Sequence, residues 1–251
     1  MEKCILNVKN ISKSFGETKV LKNVDFCVKE GHILGIMGVS GSGKSTLAKV
    51  IAGIIPYDSG EILVFDKKIP LLSHKKRDFK TFPIQIIFQN AKASFHPKKT
   101  MRQSILSSIK YLYTPIELEQ ALIETLDICA LDESLLDRLP NDLSGGQLQR
   151  FAICRAVLMN PKILIADEIT SALDIPVQLN IMKILKKIAL TKKMTILFIS
   201  HDLNCIQYIS DNLCILDKGQ LIFNDSLFKL KYSKEKIVLE FISVNQILNT
   251  L

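Results

Sequence analysis

Apolar side chains along this chain follow three patterns, and each pattern predicts a different element. Residues 1 to about 30 alternate apolar and polar positions, as in LNVKNIS and VLKNVDFCVKE, which predicts antiparallel strands with a turn near Gly16. Short continuous apolar runs at 32–37, 86–88, 163–166 and 195–200 are typical of buried strands. Because helical spacing separates several of these runs, the sequence predicts an α/β fold with a parallel sheet.

Residues 90–159 show a different spacing. Their apolar residues recur three or four positions apart, as at Leu118, Leu122 and Leu126, and no strand-like run appears before Ile163. We therefore predict one domain over 1–251: a core from 1–89 and 160–225 with an inserted helical lobe at 90–159. The apolar runs on either side of Gly219 predict a final hairpin, and 226–251 form a C-terminal tail to which we assign no structure.

The sequence GVSGSGKST, from Gly38 to Thr46, satisfies the pattern G-x-x-x-x-G-K-[ST] between a predicted strand and a predicted helix. Glycines let main-chain N–H groups surround an anion, and the helix N-terminus adds positive partial charge. We expect Lys44 to reach the β- and γ-phosphates of ATP and Ser45 to offer its hydroxyl to Mg²⁺. The predicted nucleotide-binding residues of this loop are Gly38, Ser40, Gly41, Gly43, Lys44, Ser45 and Thr46.

A second Gly-rich stretch, LSGGQ at 143–147, precedes helical apolar spacing. In this order the two motifs resemble the ATP-binding subunit of ABC transporters. The resemblance implies a P-loop NTPase (RecA-like) core with an antiparallel β subdomain and an inserted helical lobe. It also implies that Ser144, Gly145, Gly146 and Gln147 of one copy close over the ATP on the P-loop of another, rather than merely capping a helix.

Acidic residues follow the apolar run 163–166, and the resemblance implies roles for them. An acid at a strand tip can hold Mg²⁺, and an adjacent acid can deprotonate water. We assign Asp167 to the metal and Glu168 to the attacking water. His201 resembles the family's switch histidine, and Asp174 lies in SALD, which resembles its D-loop.

Two further residues are candidates by position. Gln89 resembles the family's Q-loop glutamine, which contacts Mg²⁺ and the γ-phosphate and joins the core to the helical lobe. Phe15 lies where the family places an aromatic ring that stacks on adenine, since stacking needs only a π-face. The alternative for Phe15 is a core side chain beside the turn at Gly16.

Composition limits where the protein acts. No apolar run reaches the length of a membrane span, and the N-terminus lacks a signal-peptide pattern. We expect a peripheral protein on the cytoplasmic face of the membrane. The resemblance implies a second ATPase subunit (a paralogous chain, or a copy of itself), two membrane-spanning permease subunits and, indirectly, an extracytoplasmic solute-binding protein.

The net positive charge and the six cysteines do not indicate a further binding site. The net charge of +8 comes from dispersed lysines with clusters at 67–68, 75–77, 98–99 and 186–187. Without aromatic residues interleaved, these clusters predict solvated faces and attraction to anionic lipid, and no nucleic acid partner. Six cysteines lack any C-x-x-C pair, so we expect them all reduced and mostly buried, with no metal site.

The segment FQNAKASFHPKKTMRQSI, at 88–105, resembles the peptide and nickel import group of the family, as does TSALDIPVQ at 170–178. Ile169 replaces the usual proline after the catalytic glutamate, a change that removes no catalytic group. A cysteine-containing C-terminal extension common in oligopeptide members is absent from this sequence. We therefore expect import of nickel, cobalt, zinc or a metal–metallophore complex, with oligopeptide or dipeptide import as the alternative. A soluble ABC ATPase acting on ribosomes or DNA is less favoured.

Overall fold

The computed structural model describes residues 4–69 and 82–230, together with 238, 239 and 243. The basic cluster at 75–77 and most of the predicted tail lie outside the described residues. Within the described ranges, no helix is both long and apolar enough to cross a membrane.

Within residues 4–69 and 82–230, ten strands form two sheets. They are β1 (Cys4–Phe15), β2 (Thr18–Lys29), β3 (Ile33–Met37), β4 (Ser59–Val64), β5 (Lys67–Lys68), β6 (Ile84–Ile87), β7 (Ile163–Asp167), β8 (Thr195–Ile199), β9 (Asn212–Asp217) and β10 (Gln220–Ser226). The helices are α1 (Lys44–Ile51), α2 (Met101–Ile109), α3 (Pro115–Ile128), α4 (Gly145–Leu158), α5 (Ile175–Lys192), α6 (Leu203–Ile209) and α7 (Leu227–Leu230).

The six-stranded sheet has the order β10-β9-β3-β8-β7-β6, and all its strands except β10 run parallel. Strands β3, β7 and β8 are buried at every position, which explains their continuous apolar runs. Parallel strands end at one edge of the sheet. The residues that follow β3, β7 and β8 therefore meet there, although β3 is more than a hundred residues from the other two strands in the chain.

The second sheet is antiparallel, with the order β2-β1-β4-β5. Strands β1 and β2 confirm the hairpin predicted from alternation, and the turn contains Gly16 at φ 58°. Strands β4 and β5 were not predicted. Apolar Ile62 and Val64 alternate with less buried positions in β4 and lie beside β1, so the alternation typical of a strand is present but covers only a few residues.

The prediction that all six cysteines are reduced is wrong for one pair. Cys4 and Cys27 form a disulfide with a Cα–Cα distance of 6.0 Å. The antiparallel pairing of β1 with β2 brings together two residues that are 23 positions apart, which no local spacing motif reveals. The free cysteines are buried as expected: Cys129, Cys154, Cys205 and Cys214.

The predicted helices of the lobe are present as α2, α3 and α4, which lie between β6 and β7 in the chain. Each begins with a capping box, in which a Ser or Thr side chain and a Gln or Glu three residues later satisfy backbone N–H groups: Thr100 with Gln103, Thr114 with Glu117, and Ser144 with Gln147. Phe151 on α4 is fully buried in the core that this lobe shares with helix α5 and strand β8. Strand β9 and strand β10 confirm the predicted final hairpin.

Candidate active site

The P-loop connects the end of β3 to the start of α1. Gly43 precedes the helix at φ 107°, a conformation that favours glycine, and supplies no side-chain cap. The first N–H groups of α1 therefore stay available to an anion. Lys44 is 5% exposed, and its Nζ donates to the carbonyl oxygens of Gly38, at 2.8 Å, and Val39, at 3.1 Å. Its side chain thus lies back over the loop, where bound phosphates would sit.

Close packing around the loop leaves no room for side chains at two of its glycines. A Cβ on Gly38 would lie 2.2 Å from the carbonyl oxygen of Leu216, and one on Gly43 would lie 2.9 Å from that of Val20. The hydroxyl of Ser42 is buried and has no hydrogen-bond partner within the described residues. A glycine cradle with an unpaired buried hydroxyl fits a bound phosphate chain.

Asp167 ends β7 beside the P-loop, and Glu168 follows it directly. Ser45 Oγ donates to Asp167 Oδ1 at 3.3 Å, which places a hydroxyl and a carboxylate together. Such hard oxygen ligands suit Mg²⁺. Burial raises the pKa of the Asp167 carboxyl, although the hydrogen bond from Ser45 opposes this shift. A bound cation would favour the ionised carboxylate in the same position.

Glu168 lies between two basic side chains. Its Oε1 is 3.8 Å from Lys44 Nζ and 3.8 Å from His201 Nδ1. Burial lowers the pKa of Lys44, and the carboxylates of Glu168 and Asp167 oppose that shift. The structure therefore brings together at one sheet edge three predicted residues from three parts of the chain, and the Glu168 carboxylate faces the P-loop lysine.

The backbone at Glu168 adopts a left-handed conformation, with φ 51°. Non-glycine residues in this region cost free energy and persist only when the surroundings hold them. The N–H of Glu168 donates to the carbonyl oxygen of Ile199, at 3.0 Å, on the neighbouring strand β8. This bond contributes to holding Glu168 at the strand tip.

Gln89 follows β6 and reaches the same edge. Its Nε2 donates to Ser171 Oγ at 2.8 Å, and Ser171 Oγ donates to the carbonyl oxygen of Glu168 at 2.9 Å. Sequence reasoning did not single out the Ser171 hydroxyl as a link between Gln89 and Glu168. The sequence places Ser171 in SALD, but its hydrogen bonds with Gln89 and Glu168 depend on how the loop folds.

Phe15 ends β1 and is 49% exposed, so it is not a core side chain. Lys13 Nζ lies 5.3 Å from its ring centroid. The hairpin that carries Phe15 also contributes Val20, which contacts the P-loop at Gly43. An exposed aromatic ring on a hairpin beside the P-loop remains available for stacking, and its role with adenine stays a prediction.

The LSGGQ motif begins α4. Ser144 Oγ accepts a hydrogen bond from the Gln147 N–H at 3.2 Å, and Gln147 Oε1 accepts one from the Ser144 N–H at 2.9 Å. Ser144 and Gly145 are exposed, while Gly146 packs against Val177 of α5. The motif therefore caps its own helix and also presents an exposed helix N-terminus. Asp174, the N-cap of α5, is exposed and makes no side-chain cap bond.

Comparison with known proteins identifies the family. The model of the ABC transporter family matches residues 21–171, which include the P-loop, Gln89, LSGGQ and the acidic pair. The chain belongs to the ABC transporter family. It is the ATP-hydrolysing subunit of an ABC importer.

Curated relatives of similar identity carry different import functions. The chain is 36% identical over 231 residues to the oligopeptide transport ATP-binding protein OppF of Streptococcus pyogenes serotype M1, covering 88% of this chain and 75% of OppF. It is 33% identical over 229 residues to the nickel import ATP-binding protein NikE of Escherichia coli O6:K15:H31, covering 87% and 85%. It is 34% identical over 220 residues to the methionine import ATP-binding protein MetN of Clostridioides difficile, covering 87% and 67%.

A solved structure shares the fold and contains nucleotide. The ATP-binding cassette MJ0796, determined as a dimer in a post-hydrolysis state bound to ADP and Pi, superposes with a TM-score of 0.75 at 31% identity. The match covers 88% of this chain and 98% of MJ0796. This similarity supports both the cassette fold and its association with nucleotide.

Proposed function

We propose that this ATPase drives uptake of nickel, cobalt, zinc or a metal–metallophore complex. One observation carries the hydrolytic part of the proposal: Glu168 lies 3.8 Å from both Lys44 and His201, at the mouth of the P-loop. Lys44 and the loop amides would bind the phosphates, Ser45 and Asp167 would hold Mg²⁺, and Gln89 would contact the cation and the γ-phosphate. Mg²⁺ supplies charge neutralisation and orientation of the phosphates when bound.

Glu168 accepts the proton of the attacking water, and His201 contacts the γ-phosphate. A positioned general base of this kind contributes on the order of 10² to 10⁴ to a rate. The ion pair between Lys44 and Glu168 must separate when nucleotide binds, because the lysine ammonium then pairs with the phosphates instead of the carboxylate. This exchange frees the carboxylate to face water.

A second cassette completes the site. Ser144, Gly145, Gly146 and Gln147 form an N-terminal helix turn on the lobe, and Ser144 and Gly145 are exposed. We propose that this turn and Asp174 contact the ATP bound to a partner cassette, which is a paralogous chain or a second copy. The dimeric state of MJ0796 supports this arrangement. ATP then favours the closed dimer because it binds that state more tightly.

The cargo proposal depends on the segment after Gln89 and on the similarity to NikE. In this segment Phe95 is 6% exposed and packs beneath Arg155, whose guanidinium carbon lies 4.5 Å from the ring centroid. Arg155 Nη1 donates to the carbonyl oxygen of Ser94 at 2.6 Å, and burial lowers the pKa of Arg155. The segment is thus an ordered wall of the lobe, in the region of the chain that resembles the peptide and nickel group.

Oligopeptide import is the second candidate, and the 36% identity to OppF favours it. In either case we expect the chain to lie on the cytoplasmic face of the membrane with two permease subunits. An extracytoplasmic solute-binding protein would be an indirect partner that delivers the solute to the permease subunits. Neither the cassette nor its ATP contacts the solute directly.

Elemental analysis of cells grown under metal limitation tests the cargo. Cells with the intact chain are compared with a deletion and with Lys44→Ala. Selective loss of nickel, cobalt or zinc in both defective strains supports the proposal. Unchanged metal content, together with resistance of both strains to a toxic oligopeptide, would replace it with peptide import.

A further inference from the structure

Gln178 lies on α5, four residues after Asp174, and its side chain reaches back over the loop that follows Glu168. Its Nε2 donates to the carbonyl oxygen of Thr170 at 3.1 Å and to that of Leu173 at 2.9 Å. Both hydrogens of the amide are therefore used on carbonyl oxygens of one loop, Thr170–Leu173. Backbone carbonyls only accept hydrogen bonds, so the geometry requires an NH₂ group here.

The other end of the same amide contacts a different element. Cys205 Sγ lies 3.5 Å from Gln178 Oε1 and 3.5 Å from Asp202 Oδ2. Cys205 is buried on α6, four residues after His201, and Asp202 caps that helix. Burial, reinforced by the Asp202 carboxylate, raises the pKa of Cys205 to about 11, so the thiol stays protonated and can donate. Gln178 thus connects the loop after Glu168 to the helix after His201.

The loop that Gln178 holds is linked to Glu168 at its other side. Ser171 lies inside it and donates through both its hydroxyl, at 2.9 Å, and its N–H, at 3.3 Å, to the carbonyl oxygen of Glu168. Thr170 is 2% exposed, so its carbonyl oxygen has little access to water if Gln178 is removed. A shift of the loop would therefore move the backbone of Glu168, which already has a positive φ.

We infer that Gln178 is a positioning residue for ATP hydrolysis: its amide fixes the loop Thr170–Leu173 against the helix that follows His201 and thereby holds Glu168 in place. This inference depends on the role proposed above for Glu168. Gln178 lies outside the nucleotide site: its side-chain hydrogen bonds are with Thr170, Leu173 and Cys205, and none of these residues is in the P-loop. Loss of the amide should impair the chemical step and leave ATP binding intact.

The test compares Gln178→Met, which keeps the shape without hydrogen bonds, and Gln178→Glu, which turns a carboxylate toward two carbonyl oxygens. Asn180→Asp, on the same helix but exposed, is the matched control. In the purified full-length chain we expect kcat to fall about tenfold, the effect of losing two hydrogen bonds, while KM for ATP changes less than about twofold. Hydrogen exchange over 168–174 should accelerate in both variants and not in the control.

A pH profile separates positioning from general loss of structure. Gln178→Glu should recover activity, relative to Gln178→Met, as the pH falls, because a protonated carboxyl can again donate one hydrogen bond. The charged and titratable groups near the amide, Asp174, Asp202 and Cys205, are present in every variant. The Asp202 carboxylate should raise the pKa of the introduced Glu carboxyl, which moves the recovery to higher pH.

The inference would be overturned if the Gln178 variants had the same hydrogen exchange and kcat as Asn180→Asp. It would also be overturned if hydrogen exchange accelerated over the whole chain and the activity of Gln178→Glu did not recover at lower pH. Faster loop exchange with unchanged kcat would reject the positioning role. ATP hydrolysis that persists in Lys44→Ala would instead contradict the proposed function. The exchange measurement needs no hydrolysis, so the two failures are distinguishable.

Discussion

The adjacent glycines of LSGGQ provide a matched pair of substitutions with opposite expected effects on stability. Gly145→Ala adds a methyl group whose nearest neighbour is Leu173 Cδ2 at 3.8 Å, an ordinary contact. Gly146→Ala adds one that lies 2.7 Å from Val177 Cγ1 on α5. Both positions are in α4, so the two changes have nearly the same local helical context.

The magnitudes follow from two terms. Alanine in place of a glycine in the middle of a helix stabilises by about 0.5–1 kcal/mol. Gly145 is the first residue of α4, so we expect a gain at or below the lower end of this range there, with no opposing clash. At Gly146 the same gain is opposed by overpacking, which costs roughly 1–3 kcal/mol, since Val177 is β-branched on a helix and has essentially one rotamer. We therefore expect Gly146→Ala to destabilise by about 1 kcal/mol and the two variants to differ by about 1.5 kcal/mol.

Urea unfolding measures this difference, which corresponds to about 0.75 M in midpoint for a slope of about 2 kcal/mol/M. ATP hydrolysis of the same samples tests the proposed dimer: Gly145→Ala should hydrolyse ATP more slowly despite its greater stability, because the methyl group enters the exposed turn offered to the partner's ATP. Equal midpoints for the two variants would refute the packing of α4 against Val177. Full activity in Gly145→Ala would contradict contact through that turn.

Three further predictions concern the acidic pair and Phe15. Asp167→Asn should raise the free energy of unfolding near neutral pH, measured by urea unfolding, because burial disfavours the ionised carboxylate and raises the pKa of Asp167. This gain should vanish as the pH falls below the pKa of the carboxyl in the unfolded chain, and a gain that persists in acid would contradict this reasoning. Glu168→Gln should reduce ATP hydrolysis by about 10² or more while Mg-ATP retains a dimer on size-exclusion chromatography, and near-normal hydrolysis would exclude it as the base. Phe15→Ala should weaken ATP binding in a fluorescent-nucleotide titration by about 2–10-fold with little change in stability, whereas Phe15→Tyr should bind like the wild type.

Most of the α/β core was predictable because its signals are local and strong. Strands β3, β7 and β8 are buried on both faces and therefore read as continuous apolar runs, and the P-loop lies between β3 and α1 as its motif requires. Strands β4 and β5 were missed, since six and two residues provide little periodicity. The Cys4–Cys27 disulfide was also missed, because it depends on the pairing of two strands rather than on spacing along the chain.

The sequence by itself determined which chemical groups are present: a lysine and glycines in a phosphate-binding pattern, two adjacent acids at a strand end, and a capped helix at LSGGQ. Only the tertiary structure decided how these groups meet. The order of the parallel strands brings Glu168 to 3.8 Å from both Lys44 and His201, and the folded loop brings the Gln178 amide to carbonyl oxygens five and eight residues before it and to Cys205 on another helix. Contacts of this kind depend on sheet order and loop shape, which arise from packing across the whole domain and leave no local pattern in the sequence.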